Sequence, residues 1–259
     1  MLKIIISPAK KMNVLDEFTC PVTYPAFLGQ ALYLHGILSG MSQEELKELW
    51  RCSDKLVHAN WERLHSYSPS RLLTPALLAY EGIQYQYMAP HIFSEAEWEY
   101  TVQHLRILSG FYGILRPTDG VVPYRLEMQA KLKTENASHL YDFWGGSLYD
   151  KLKEEAVASE YMDILNLASA EYSRAILPYI KPPVRCFTCI FGEEVRGKTK
   201  VKATQAKMAR GEMVRWMAEN QISNVEDIRD FRRLDYEYQP GLSTETEYVF
   251  IKNVKKQDL

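Results

Sequence analysis

The chain has 259 residues, 46% of them hydrophobic, which is enough to bury the core of one large domain or of two small ones. Its 31 basic residues nearly balance 33 acidic ones, so an anion-binding surface would require local clustering of charge. The sequence holds no apolar run near the roughly 18 residues of a membrane span. Its apolar start, Leu2 to Ile6, is too short for a secretion signal. We therefore expect a cytoplasmic protein that makes no membrane contact.

The first half of the chain predicts one strand and then helices. Leu2 to Ile6 is short and β-branched, and Pro8 closes it, as is typical of a buried strand. The capping boxes Ser42-x-x-Glu45 and Ser94-x-x-Glu97 predict helix starts. The elements predicted in this half are a strand at 2–6 and helices at 26–39, 42–50, 53–65 and 94–106.

Strands and helices alternate in the second half. The elements predicted there are helices at 141–156, 170–178, 204–220 and from 223, and strands at 162–167, 184–191, 198–203 and 248–251. This alternation predicts the α/β class, with a mixed central sheet covered by helices. Because no flexible linker interrupts the pattern, we expect a single domain over residues 1–259.

The cysteines and histidines do not predict a metal or redox site. Cys186 and Cys189 form the one C-x-x-C pair, and in a strand they would project to opposite faces. The six histidines form no H-E-x-x-H motif. We expect neither a metal nor a cofactor.

Two neighbouring segments, 108–119 and 123–128, are too rich in glycine, proline, tyrosine and alternating charge for a plain core element. Arg116 lies near Asp119 in sequence, and Arg125 would share a strand face with Glu127. Two interpretations stay open. The pairs are either buried ion pairs that stabilise the fold or arginines that are held by acids to grip a phosphate.

Polar residues also follow two of the predicted strands. Ser7 and Lys10 follow the first strand, and α/β folds place their ligand crevices at such carboxyl ends. Those that follow the strand at 162–167 are Asn166, Ser169, Glu171 and Tyr172. A ligand pocket is one interpretation of these residues. In the other, Lys10 is a solvated side chain after a turn and Ser169 caps the next helix.

The basic residues cluster in one segment. Residues 196–215 include seven basic side chains against Glu212 alone. Lys207 and Arg210 share a helix face, and Gly211 permits close packing or binding beside them. A charge run is usually a solvated face, but Lys207 near the positive end of a helix dipole would strengthen an anion site.

Six ordered blocks resemble the bacterial YaaA peroxide-stress family. They are Ser7-Pro8-Ala9-Lys10, Ser53-Asp54-Lys55-Leu56, 108–117, 123–128, 166–172 and 207–211. The resemblance covers nearly the whole chain. It implies a family-specific fold with a positively charged cleft, a helix-hairpin-helix element and DNA binding. It also implies protection against hydrogen peroxide by limiting free intracellular iron, and it implies no enzymatic reaction firmly.

The helix-hairpin-helix element has two candidate positions. Such elements bind the DNA backbone through main-chain N–H groups of a tight hairpin. Residues 42–65 carry two capped helices with Lys55 at the start of the second, but they lack a hairpin glycine. Residues 95–115 contain Gly110-Phe111-Tyr112-Gly113, which has one residue more than the usual Gly-hydrophobic-Gly hairpin. We prefer the first candidate for its helix geometry.

Non-sequence-specific DNA binding through a basic cleft is the function that we expect. The residues expected to bind DNA or another anion are Lys10, Lys55, Arg116, Arg125, Lys207 and Arg210. The residues expected to line a pocket are Ser7, Asp119, Tyr124, Glu127, Asn166, Ser169, Glu171 and Tyr172. The alternative is an enzyme that acts on a nucleotide or another small anionic ligand in the same cleft, with Glu127 or Glu171 as general base. An iron-binding protein ranks last, because the sequence lacks a suitable ligand set.

Overall fold

The computed structural model describes residues 1–155 and 161–253. Its strands are β1 Leu2–Ile6, β2 Lys11–Met12, β3 Thr74–Pro75, β4 Tyr80–Glu81, β5 Leu105–Ser109, β6 Gly113–Leu115, β7 Gly120–Val121, β8 Asp163–Leu167, β9 Arg185–Val195, β10 Lys198–Lys200, β11 Tyr236–Tyr238 and β12 Glu247–Lys252. Its α-helices are α1 Leu28–Ser39, α2 Gln43–Trp50, α3 Asp54–Ser66, α4 Ala76–Ala79, α5 Ile83–Met88, α6 Glu95–His104, α7 Leu140–Trp144, α8 Ser147–Glu154, α9 Ala170–Ser173 and α10 Ala203–Glu219. Short 3-10 helices lie at Pro69–Arg71, Pro90–Ile92, Leu177–Tyr179, Val225–Asp230, Arg233–Asp235 and Pro240–Leu242.

The central sheet is mixed. In the described part of the chain its order is β11-β12-β9-β8-β1-β5-β6, with β10 paired to β9. The strands β5, β1, β8, β9 and β12 run parallel to one another, whereas β6, β10 and β11 pair antiparallel with their neighbours. The sheet and its covering helices confirm the predicted α/β class.

The first strand lies at the middle of this sheet. All five residues of β1 are buried, as its β-branched sequence predicts for a strand with parallel neighbours on both sides. The chain leaves β1 towards β5 on one side, whereas it leaves β8 towards β9 on the other. Neighbouring strands whose connections depart in opposite directions leave a crevice at their carboxyl ends. In this fold that crevice lies after Ile6 and Leu167.

Helix α10 packs closely against α5. A Cβ at Gly211 would lie 2.0 Å from the carbonyl oxygen of Gln84, so only glycine permits this approach. Gly211 therefore serves helix packing.

The sequence predicts several boundaries correctly. Ser42 and Ser94 both form complete capping boxes, with Glu45 and Glu97 bonded back to the cap N–H. Ser53 precedes α3 as predicted, although its side chain makes no cap hydrogen bond.

Other predicted elements differ from the structure. The helix predicted at 141–156 is two helices, α7 and α8, because Gly145 has a φ of 48° and breaks the chain direction, and residue 156 lies outside the described residues. The helix predicted at 94–106 ends at His104, and β5 begins at the next residue. The charged residue Arg106 interrupts the apolar run of β5 and hides this strand from a periodicity argument.

Among the described residues, none of the helices is long and apolar enough to cross a membrane.

Candidate functional site

The polar residues after β1 and β8 meet at the crevice of the sheet. The backbone N–H of Ser169 donates to Ser7 Oγ at 2.8 Å, and the Ser7 hydroxyl donates to Ser169 Oγ at 3.2 Å. Ser169 therefore bonds across to the first strand, and its side chain makes no cap hydrogen bond to α9. We call this region, with Lys10, Tyr80, Ser109, Tyr124, Arg125, Glu127, Glu171 and Tyr172, the strand-end cluster.

Glu127 lies between two cations in the strand-end cluster. Its Oε1 is 3.0 Å from Lys10 Nζ and 3.1 Å from Arg125 Nη2. The side chains of Arg125 and Glu127 are 9% and 11% exposed, whereas that of Lys10 is 67% exposed. Residues 122–127 are irregular rather than a strand, so the predicted shared strand face is wrong although the two side chains do meet. The buried guanidinium faces Glu127 and, at 3.4 Å, the carbonyl oxygen of Trp50.

A close backbone approach holds the loop that carries Glu127. A Cβ at Gly110 would lie 2.6 Å from the carbonyl oxygen of Leu126 and 2.9 Å from the carbonyl carbon of Glu127. The glycine therefore admits this loop against the turn after β5.

Glu171 is the second carboxyl group of the cluster. Its Oε1 accepts the backbone N–H of Gln129 at 3.3 Å. Burial raises the pKa of Glu171 above its ordinary value, and the negative charge of Glu127 raises it further, while Lys10 opposes both effects. The two carboxyl groups thus experience different environments.

Tyrosine hydroxyls form a hydrogen-bonded chain behind these residues. Tyr124 Oη lies 2.6 Å from Ser109 Oγ and 2.7 Å from Tyr80 Oη. Burial raises the pKa of Tyr124 to about 12, so the phenol is neutral over the ordinary pH range. Tyr85 donates to the carbonyl oxygen of Ser7 at 3.0 Å, and burial raises the pKa of Tyr172 as well.

Asn166 shapes the corner after β8. Its amide donates to Thr188 Oγ1 at 3.2 Å, and its Oδ1 accepts the backbone N–H of Ala168 at 3.0 Å. These bonds give the 3%-exposed side chain a positioning role beside the cluster.

Arg116 and Asp119 do not lie against the strand-end cluster. Asp119 accepts the backbone N–H of Arg116 at 2.8 Å and the hydroxyl of Thr23 at 2.7 Å. The Arg116 guanidinium instead approaches Glu155, with 3.7 Å between Nε and Oε1. Arg116 borders a separate cavity of about 1030 Å³, whose lining includes Trp98.

Five exposed cations lie close together in sequence between the end of β9 and the first turns of α10. We call Arg196, Lys198, Lys200, Lys202 and Lys207 the basic arm; all five are exposed. Its turn, Arg196-Gly197, has φ values of 53° and 73°, as a two-residue hairpin turn requires. The first turn of α10 carries no acidic residue. Acids on β9 oppose the arm, since Glu193 Oε2 lies 2.6 Å from Lys202 Nζ and exposed Glu194 is the cross-strand partner of Thr199.

Lys207 and Arg210 occupy different environments despite their spacing. Lys207 is exposed, whereas Arg210 is only partly exposed and its Nε is buried without a hydrogen-bond partner in the described residues. Burial lowers the pKa of Arg210, and the nearby Cys189 opposes that shift. The side chains of Arg210 and Arg125 are thus largely enclosed, whereas Lys207 is accessible.

The two helix-hairpin candidates also differ. Residues 42–65 contain two α-helices, α2 and α3, joined at Arg51, whose φ is 46°. Lys55 is exposed at the start of α3, and its neighbour Asp54 lies 2.6 Å from Lys47. Residues 95–115 form one helix followed by the antiparallel strands β5 and β6, so they are not a pair of helices.

Sequence reasoning missed Tyr80, Tyr85 and Ser109 as members of the cluster or its support. Tyr80 reaches it because β4 pairs with β2, the short strand directly after Lys10. A pairing between segments about seventy residues apart leaves no local signal. Ser109 lies within the segment 108–119 that the sequence analysis identified, so that segment was a signal by which it could have been predicted.

In the ranges 1–155 and 161–253, no three His, Cys, Asp or Glu side chains are grouped as a metal site would require.

Comparison with known proteins gives one family over nearly the whole chain. The family model described as peroxide stress protein YaaA matches residues 2–242. A UPF0246 protein of Pediococcus pentosaceus is 50% identical over 252 residues, which cover 97% of this chain and 98% of that protein. Another, from Lachnoclostridium phytofermentans, is 51% identical over 251 residues, which cover 97% of this chain and 96% of that protein.

Proposed function

Because the chain belongs to the YaaA peroxide-stress protein family, we propose that it is a DNA-binding stress protein whose basic arm contacts the phosphate backbone without reading bases. The observation that carries this proposal is the concentration of five exposed cations within residues 196–207, with no acidic residue between them. Such a surface attracts nucleic acid locally although the whole chain has a net charge of −2.

The local structure of the arm supports phosphate contact. Lys198 and Lys200 alternate along β10 and so share one face of this strand. They lead into the N-terminus of the 17-residue helix α10, whose first N–H groups receive no side-chain cap. Helix N-termini attract anions through these N–H groups and the helix dipole.

A salt titration tests the proposal. The affinity of the full chain for a fluorescent duplex should fall with a log–log slope on the order of 4, about one unit per released counterion. The double variant Lys198→Ala/Lys200→Ala should reduce that slope by about 2 and weaken binding to all duplex sequences alike.

Lys151→Ala/Lys153→Ala is the matched control, because it removes the same charge from α8. It should leave both the affinity and the slope unchanged, with melting curves confirming that all three proteins are folded. Equal losses of duplex affinity in the two double variants would mean that net charge, rather than the basic arm, drives binding. Absence of salt-dependent binding in the native chain would overturn the proposal.

The helix-hairpin-helix role falls to α2 and α3 in this proposal. Exposed Lys55 at the start of α3 supports a backbone contact, whereas Asp54 beside it opposes one. Lys55→Ala should therefore reduce the salt slope by about 1 if this hairpin touches DNA. An unchanged slope would restrict the contact to the basic arm.

Family membership also supports protection against hydrogen peroxide through a lower level of free intracellular iron. We assign no iron ligand. The test is survival in peroxide, with free iron measured by electron paramagnetic resonance, in cells that carry the native chain or the Lys198→Ala/Lys200→Ala variant. If DNA binding is the route to protection, the variant should resemble cells that lack the protein.

A further inference from the structure

We propose that the strand-end cluster is a second site, separate from the basic arm, which binds a small molecule through an anionic group, with Lys10 as the anion contact and Glu171 as an acid–base group beside it. The ligand group is a phosphate or a carboxylate. Four observations carry this inference: the place of the cluster in the sheet, its unused hydrogen-bond donors, the accessibility of Lys10 and the adjacency of two carboxyl groups.

The place of the cluster is the crevice between β1 and β8, where the chain connections depart in opposite directions. Open α/β sheets bind ligands at this position because the loops there diverge and leave backbone groups accessible. Ser7 and Ser169, one after each strand, are hydrogen-bonded to each other there.

The serine pair offers one donor to the crevice. Ser7 Oγ accepts the backbone N–H of Ser169, and its own hydroxyl proton is committed to Ser169 Oγ. The hydroxyl proton of Ser169 is therefore left to serve another acceptor. An anionic oxygen in the crevice would accept it.

The tyrosine chain also has one hydroxyl proton that no hydrogen bond within the chain uses. Ser109 Oγ accepts the backbone N–H groups of Phe111 and Tyr112 at 3.1 and 2.9 Å, so its hydroxyl donates to Tyr124. Tyr124 and Tyr80 share one further hydrogen bond in which either hydroxyl is able to donate, so one of the two phenol protons remains for a further acceptor. The chain thus has one hydroxyl donor to spare, which suits an anion.

Lys10 is able to change partner. Arg125 is buried and by itself neutralises Glu127 at 3.1 Å, whereas the Lys10 side chain is 67% exposed. An exposed ammonium on a flexible stem loses little when it leaves one carboxylate for another anion. Glu127 would then remain paired while Lys10 binds the ligand.

The pH dependence of binding depends on the surroundings of Glu171. The charged and titratable groups around it are Glu127, Lys10, Tyr172 and Tyr141, with Arg174 beyond Tyr141. Burial and Glu127 raise the pKa of Glu171, so its carboxyl keeps a proton to higher pH than an exposed glutamate does. The neutral form tolerates an anion nearby and is able to donate a hydrogen bond to it.

The experiment is calorimetric titration of the full chain at constant ionic strength with sulfate, adenosine 5′-monophosphate and succinate. Lys10→Met should weaken binding about tenfold, the effect of one charge-assisted contact. Lys11→Met is the matched control, because Lys11 is the adjacent lysine, is 68% exposed and pairs with Glu81 instead. The affinity of Lys11→Met for each probe should equal that of the native chain. Lys10→Arg should recover most of the affinity that Lys10→Met loses.

The pH profile identifies the role of Glu171. Sulfate does not titrate in the range from about pH 5 to pH 8, so any change in its affinity there reports the protein. Native affinity should fall as pH rises, since ionised Glu171 repels the anion, and Glu171→Gln should remove that fall. A matching fall in the variant would contradict the acid–base role.

Three outcomes would overturn the second site. One is that none of the three probes binds the native chain at millimolar concentration. Another is that Lys10→Met and Lys11→Met behave alike. The third is that Lys198→Ala/Lys200→Ala abolishes small-anion binding as well as DNA binding, because the two sites would then be one surface. Stronger binding of the nucleotide than of succinate identifies a phosphate ligand, and the reverse order identifies a carboxylate.

Discussion

Arg106 and Glu155 form a buried ion pair in which the guanidinium Nε donates to the carboxylate Oε2 at 2.8 Å. Lys3 Nζ donates to the same oxygen at 3.0 Å. The side chains of Arg106 and Lys3 are 5% and 3% exposed, so one carboxylate pairs with two enclosed cations, and Arg116 approaches its other oxygen at 3.7 Å. Removing a partner from such a cluster leaves an uncompensated buried charge.

Glu155→Gln should therefore lower the free energy of unfolding by about 3 kcal/mol. The matched control is Glu154→Gln at the neighbouring position, where the side chain is 66% exposed and pairs with Lys151. An exposed pair of this kind contributes about 0.5 kcal/mol or less. Urea denaturation of both variants measures the difference, and equal losses would contradict the structural role of Glu155.

The same ion pair makes stability sensitive to acid. Burial alone would raise the pKa of Glu155, but the hydrogen bond and charge of Arg106, together with Lys3, outweigh it and hold the pKa below its ordinary value. A carboxyl whose folded-state pKa is depressed contributes stability that is fully present above its unfolded pKa, roughly 4.3. That contribution is lost as pH falls through the folded-state pKa. Acid titration of unfolding should show a smaller loss in Glu155→Gln than in the native chain.

The contact between α10 and α5 requires glycine at position 211. Gly211→Ala should destabilise the fold by about 2 to 3 kcal/mol, because the added Cβ meets the Gln84 backbone at 2.0 Å. The control is Gly36→Ala inside α1, where an added Cβ has no heavy atom within 4 Å. This control should be neutral or stabilising by about 0.5 to 1 kcal/mol, as helix propensity predicts. Thermal melting distinguishes the two, and a neutral Gly211→Ala would mean that the helices separate freely.

Ser109 supports the turn after β5 and the tyrosine chain together. Ser109→Ala should cost about 1 to 3 kcal/mol, since two buried backbone N–H groups lose their acceptor. Tyr124→Phe should cost about 1 kcal/mol, because it removes hydroxyl contacts without exposing backbone groups. Denaturant unfolding of the two variants tests this order. A larger loss for Tyr124→Phe would contradict the importance of the turn.

Arg210 provides a test of which cations reach a ligand outside the fold. Arg210→Met should leave duplex affinity within about twofold of the native value, because the guanidinium lies enclosed near Cys189. Lys207→Met, one turn earlier on the same helix and exposed, should reduce the salt slope by about 1. Anisotropy titrations of both variants measure this contrast, and equal losses would contradict the burial argument.

Local chemistry determined those parts of the fold that depend on neighbours in sequence. The β-branched run Leu2 to Ile6 predicts the central strand, and Ser42 and Ser94 predict their helix starts, because capping and strand preference act over a few residues. The basic arm is visible in the sequence for the same reason, since its charges are adjacent.

Long-range pairing decided the rest. Arg116 and Arg125 are nine residues apart and look alike in sequence, yet one approaches Glu155 and the other is buried against Glu127. Strand β5 accommodates the buried charge of its second residue, Arg106, because Glu155, directly after α8, reaches that guanidinium. Which acid meets which base depends on contacts across the sheet. Because these contacts join residues that are far apart in sequence, no local sequence pattern predicts them or their free energy.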